Sequence, residues 1–160
     1  MARTYTLERT QFLPLSIEQT FAFFEDATNL EAITPDFVHF RIVTPTPIEM
    51  QSGTQIDYRL RIAGVPVKWR TLIETYEPPF RFVDTQLKGP YKLWHHTHSF
   101  EAVNGGTQMK DVVKYQIGFG HFGRIVHRLF VQKMLDDIFE YRRMQIERLL
   151  TGSVATENAE

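Results

Sequence analysis

The chain opens with TYTLERTQFLPL, residues 4–15, which predicts a first strand. Ser16, with Gln19 three positions later, forms the sequence pattern of an N-terminal capping box, and Ile17, Phe21, Phe23 and Phe24 follow it as the apolar positions of a short helix. Asn29 to Ile33 predicts a second short helix, stopped before Pro35 because the residue preceding proline avoids helical angles. From Phe37 to Ile117 the period changes to two. VHFRIV sets Val38, Phe40 and Ile42 on one face, and QIDYRLRI sets Ile56, Tyr58, Leu60 and Ile62 against Asp57, Arg59 and Arg61. VKWRTLI, RFVDTQL, KLWHHTHSFEAV and QMKDVVKYQI continue the pattern between turn signals, the strongest being Asn104-Gly105-Gly106. About six strands joined by hairpins, with one dry and one wet face, are expected after the two helices.

A helical period then runs from about Gly123 to Leu150. Val131, Met134, Leu135, Ile138, Phe139, Ile146, Leu149 and Leu150 fall on one side, with Lys133, Asp136, Asp137, Glu140, Arg143 and Glu147 on the other. Unbroken, such a helix is roughly 40 Å long and reaches across a whole sheet. Its entrance, GFGHFGRIVHRLF, is apolar around much of its circumference. It reads either as a buried first turn or as a gate over residues 118–130 that brings Phe119, Phe122 and Val126 over an opening. A bent sheet wrapped around one helix cannot close completely, so a hollow is expected between them.

Composition narrows the classes. The 160 residues suit one domain over 1–152, and the small polar residues of 153–160 predict a disordered tail. Lys plus Arg number 18 against 19 Asp plus Glu, which supplies no basic excess for a nucleic-acid backbone. With no cysteine, disulfides and thiolate metal sites are excluded. MARTYTLERTQF lacks the apolar run of a signal peptide, and no stretch approaches the roughly 20 apolar residues that span a bilayer. A cytoplasmic chain without stable membrane insertion is expected, with a homodimer left open.

The candidate chemistry lies in WHHTHSF, residues 94–100, which holds three of the six histidines. Strand alternation puts Trp94, His96, His98 and Phe100 on one face and His95 on the other. If the hairpin turns at Asn104-Gly105, His98 faces Asp111 and Trp94 faces Tyr115. If it turns at Gly105-Gly106, His98 faces Val113 and His96 faces Tyr115. A three-residue loop at Gly89–Tyr91 would set Asp84 beside His96, whereas a two-residue loop would turn it outward. A buried Asp costs several kcal/mol unless paired, and an imidazole is the natural partner. Four readings compete: mutual satisfaction of these groups within the wall, orientation of an apolar ligand, acid–base catalysis, and a metal site. His-x-His with a carboxylate suits zinc or iron. However, no further strong ligand stands nearby in the sequence, so no metal and no cofactor is expected.

FFEDATNLEAITP (23–35), GTQIDYRLRIAGVPVKW (53–69), FVDTQLKGPYKLWHHTHSF (82–100) and GGTQMKDVVKY (105–115) resemble the superfamily of START domains, polyketide cyclases and pollen-allergen-type proteins, most closely its bacterial ligand-binding branch. The likeness covers nearly all of residues 5–150. It implies an α+β helix-grip fold, a curved antiparallel sheet of about seven strands wrapped around a long C-terminal helix, but little about chemistry. The expected function is therefore binding of a small hydrophobic or aromatic ligand in the hollow. Its expected apolar contacts are Tyr58, Leu60, Trp69, Ile73, Trp94 and Phe100, with Val113, Tyr115 and Met134 from the last strand and the helix. His96, His98, Asp111 and Asp84 are the expected polar anchors. The alternative implied by the resemblance is a cyclase or dehydratase acting on a polyketide-like or aromatic substrate, with His96, His98 and Asp111 as its candidate acid–base groups. A third reading is an interaction protein, using an exposed sheet edge, the apolar helix start, or the cationic strip Arg59, Arg61, Lys68 and Arg70.

Overall fold

A computed structural model describes residues 2–157. Strand β1 (Thr4–Leu13) leads into α1 (Ile17–Glu25) and α2 (Asn29–Ala32). The short β2 (Arg41–Ile42) is followed by β3 (Gln55–Ile62), β4 (Val65–Glu77), β5 (Arg81–Lys88), β6 (Leu93–Val103) and β7 (Gly106–Gln116). The chain ends in α3 (Gly120–Val126), a π-helical turn at His127–Val131, and α4 (Gln132–Glu157). All seven strands form one antiparallel sheet in the order β1-β7-β6-β5-β4-β3-β2. The two ends of the meander are thus held apart. β1 covers one side of β7, and α1 and α2 carry the chain across to β2 at the far edge. This is the helix-grip arrangement.

Local chemistry explains the joints. Ser16 Oγ accepts from Gln19 N at 3.1 Å and Gln19 Oε1 accepts from Ser16 N at 3.2 Å, the reciprocal cap the sequence predicts for α1. The β6–β7 hairpin turns at Asn104-Gly105, with Gly105 at φ +83°, so the first of the two registers holds: His98 faces Asp111 and Trp94 faces Tyr115. Gly106 is fixed by closeness, since a Cβ there would lie 2.2 Å from the Leu13 carbonyl oxygen of β1. The expected strand through Val38, Phe40 and Ile42 is shorter than predicted. Asp36–Val38 forms a 3-10 turn and His39 takes left-handed angles, so pairing begins only at Arg41. Of the tail expected at 153–160, residues 158–160 lie outside the described residues, and α4 is traced to Glu157.

Two clusters clamp the helix to the sheet. Leu13, Phe21, Phe100, Met109 and Ile146 pack at one end, and Leu7, Val113, Tyr115, Leu135 and Phe139 at the other. Ile146 is 1% exposed. Ile146→Ala should lower unfolding stability by about 2–5 kcal/mol in denaturant titrations, from lost burial plus the cavity left behind. Lys133→Ala, on the exposed side of the same helix, should change it by less than about 0.5 kcal/mol.

Candidate functional site

Three adjacent strands supply the polar centre. β6 turns His96 and His98 inward, β5 supplies Asp84, which pairs in register with His96, and β7 supplies Asp111 opposite His98. The shortest contacts run diagonally, as long side chains allow across a sheet. His96 Nε2 lies 2.8 Å from Asp111 Oδ1, and His98 Nε2 lies 2.7 Å from Asp84 Oδ2. The directly facing contacts are longer. His98 Nδ1 is 3.1 Å from Asp111 Oδ1 but outside hydrogen-bond geometry, and His96 Nδ1 is 3.6 Å from Asp84 Oδ2. The imidazole rings lie with centroids 3.7 Å apart, and His98 stacks on Phe82 at 4.1 Å.

Above this wall α4 places Arg142. Its Nε is buried without a hydrogen-bond partner, and its guanidinium lies 4.8 Å from the Phe139 ring centroid. Burial pushes its pKa down, while the charges of Asp111 and Asp84 oppose that shift. The two carboxylates are pushed up by burial, but the imidazoles more than reverse this, His96 and His98 together holding both Asp84 and Asp111 below the usual carboxylate range. The histidines separate. Burial and the neighbouring His98 charge hold His96 low, whereas for His98 the bond to Asp84 and the nearby Asp111 carboxylate override burial and raise it. The cluster thus gathers two carboxylates, two imidazoles and one guanidinium, with a proton held more tightly on His98 than on His96.

The cavity between sheet and helix has a volume of about 180 Å³. Of the expected contacts, Tyr58, Leu60, Trp69, Ile73, Trp94 and Met134 lie on its wall together with Asp84, His96, His98 and Asp111. Trp69 meets Trp94 edge-on at 5.3 Å, and Tyr91 packs against both. Phe100, Val113 and Tyr115 are not on that wall. Phe100 packs against Phe21 and Phe24 of α1, and Val113 is covered by the helix cluster. Tyr115 turns its hydroxyl to His127 Nε2 at 2.8 Å and makes no part of the cavity wall where an apolar contact was expected of it. The helix packs on the sheet through two clusters, which cover these three residues, while Leu135, Phe139, Phe82 and Met109 of the same clusters still reach the cavity wall. No residue of 118–130 is on the cavity wall, and Phe119 and Phe122 are exposed while Gly123 and His127 are buried.

Sequence reasoning missed Arg142, Tyr91, Phe82 and the α1 residues Phe23 and Phe24, all of which line the cavity. The signal for Arg142 was present. Leu135, Phe139 and Ile146 are buried at helical spacing, and position 142 completes that stripe. Ligand atoms of Asp84, His96 and His98 lie within 4.8 Å of one another, close enough to gather around an ion. Both Nε2 atoms are already bonded to carboxylates, and the Arg142 charge opposes a cation, so the chemistry shown is that of an ion-pair network.

The fold and its hollow define a START-like helix-grip protein. Residues 13–139 match the family described as polyketide cyclase / dehydrase and lipid transport, and the chain belongs to that family. Among solved structures it is similar to the protein TTHA0849 from Thermus thermophilus, at 17% identity and a TM-score of 0.74, covering 93% of this chain and 99% of that one. A START superfamily protein from Mycobacterium smegmatis is 13% identical with a TM-score of 0.67, covering 90% and 98% of the two chains. The Zhui aromatase/cyclase from a Streptomyces species is 12% identical with a TM-score of 0.65, covering 92% and 96%. No protein of curated function matches the sequence.

The sign of the pH dependence follows from the shifts. The Asp111 contribution is full above 3.8, the unfolded carboxylate value, and is lost as pH falls through its lowered folded value. The His98 contribution is full below 6.5 and fades as pH rises through its raised folded value. Asp111→Asn should therefore cost about 3–5 kcal/mol near neutral pH, because it leaves buried partners uncompensated. Unfolding curves should show the difference from wild type narrowing below pH 3.8. In NMR titrations of the imidazole nitrogens, His98 should lose its protonation at lower pH in the variant than in wild type.

Proposed function

We propose that the chain binds a small, mostly apolar ligand carrying an aromatic ring, held between the sheet and α4. One observation carries this reading. The cavity wall is largely aliphatic and aromatic, while Asp84, His96, His98, Asp111 and Arg142 form a single buried polar cluster within it. An apolar cavity of about 150 Å³ is enough to hold a benzene-sized molecule. Trp69, Trp94 and Tyr91 supply flat surfaces for a ring, and Arg142 offers an uncommitted buried donor to an oxygen on the ligand. The family's description, which joins cyclases and dehydrases to lipid transport, is compatible with a carrier or sensor of such a molecule.

A second reading is favoured by His96 alone. Held neutral and bonded through Nε2 to Asp111, it has the arrangement of a general base oriented by a carboxylate. On that reading the pocket folds a polyketide-like or aromatic carbonyl compound, and His96 moves a proton during cyclisation or dehydration.

The two tryptophans of the chain both line the cavity, so binding has an internal reporter. Titration with 2-naphthol should change tryptophan emission and raise the melting temperature, the stabilisation reaching about 2.7 kcal/mol at one hundred times Kd. Arg142→Met should weaken binding about tenfold or more, the loss of a hydrogen bond to a charged group. If neither emission nor melting temperature responds to 2-naphthol, aromatic acids or fatty acids, the binding reading fails. If His96→Gln retains affinity for a poly-β-keto thioester but abolishes its turnover, the enzyme reading replaces it.

A further inference from the structure

The entrance to the terminal helix is an apolar surface facing outward. Phe119 is 85% exposed, Phe122 67%, Ile125 56%, Leu129 73% and Phe130 51%. Their spacing of three and four residues collects them on one side, while Gly123 and His127 on the opposite side are buried. Single exposed apolar residues are ordinary, but five within twelve positions form a contiguous patch of the kind that contacts another phase or partner. His127 anchors the segment from beneath, stacked on Tyr5 at 3.5 Å and bonded to Tyr115, so the outward side chains sit on a fixed base.

The charge around the patch is one-sided. Residues 112–135 contain Lys114, Arg124, Arg128 and Lys133 and neither Asp nor Glu. Arg124 and Arg128 line a cleft beside the patch, together with Arg3 of the N-terminal segment. Among the described residues none of these three arginines has a carboxylate partner. The two acids of the same cleft are already engaged, Glu8 with Lys110 at 3.4 Å and Asp136 with Arg9 at 2.5 Å. An apolar helix face flanked by uncommitted arginines matches the two layers of an anionic bilayer surface, acyl chains below and phosphates above.

We infer that the Phe119–Phe130 face, with Arg3, Arg124 and Arg128 beside it, docks this protein reversibly on an anionic phospholipid surface. The helix lies in the interface without crossing, in keeping with the lack of any membrane-crossing helix among the described residues. The inference does not depend on what the cavity holds, since none of these residues lines it.

The test is co-sedimentation of the full chain with phosphatidylcholine vesicles and with vesicles of phosphatidylcholine and phosphatidylglycerol in equal parts, at about 0.1 M salt. Binding to the anionic vesicles is expected to be at least about tenfold tighter and to weaken as salt is raised. F122D/L129D should abolish it, and R124E/R128E should reduce it about tenfold or more. Both variants change exposed positions, so their melting temperatures should stay within about 2 °C of wild type, and their 2-naphthol response should persist wherever wild type shows one. Three outcomes would overturn the inference: no sedimentation with either vesicle, sedimentation unchanged in both variants, or a stable dimer in light scattering that F122D/L129D dissociates. The last would show that a second copy of the chain covers the patch.

Discussion

Two carboxylates, Asp84 and Asp111, stand in the wall of the sheet beneath α4, and neither would survive there ionised without compensation. An uncompensated charge in that setting costs several kcal/mol. The diagonal pairing with His98 and His96 offsets that cost, and Arg142 adds a nearby positive charge. The pairing also requires β5, β6 and β7 to hold one register, because a slip of one residue would turn Asp84 or Asp111 to the opposite face. The polar cluster therefore specifies the alignment of the strands that build the cavity.

The helix supplies the counterpart. α4 packs tightly at its two ends, against Leu13, Phe21 and Phe100 on one side and Leu7 and Val113 on the other, and spans an open middle. Beside these contacts it presents Met134, Ile138 and Arg142 to the cavity, two flexible or aliphatic side chains and one buried cation. A curved sheet gripped by one helix at two clusters leaves space between them. That space holds apolar surface and a polar cluster in one enclosure, which gives a ligand both burial and orientation.

Much of this was legible in the sequence because strand periodicity is a geometric rule. Alternation in WHHTHSF turned His96 and His98 inward, whereas two hairpin registers stayed open until the turn at Asn104-Gly105 placed Asp111 opposite His98. What the periodicity leaves out is depth along a strand. Phe100, Val113 and Tyr115 share the inward face with His96 and His98, yet the helix covers them, and only the path of α4 separates core from cavity. Arg142 escaped because a charged residue reads as solvent-facing unless the stripe Leu135, Phe139 and Ile146 is followed through it. For Phe119 and Phe122 the sequence left a buried turn, a gate and an interaction face all open, since apolar residues at helical spacing read equally as core or as a docking face.

The central claim is that a dry, apolar space persists between sheet and helix above the histidine–aspartate cluster. Methyl-resolved NMR under xenon pressure tests it directly, because xenon enters empty apolar cavities and shifts the resonances that line them. The methyls of Ile73, Met134 and Ile138 should shift in a saturable way, while those of the tightly packed Leu7 and Leu13 stay fixed. Uniformly small, non-saturating shifts at all of these methyls would mean that side chains fill the space, and would contradict the account.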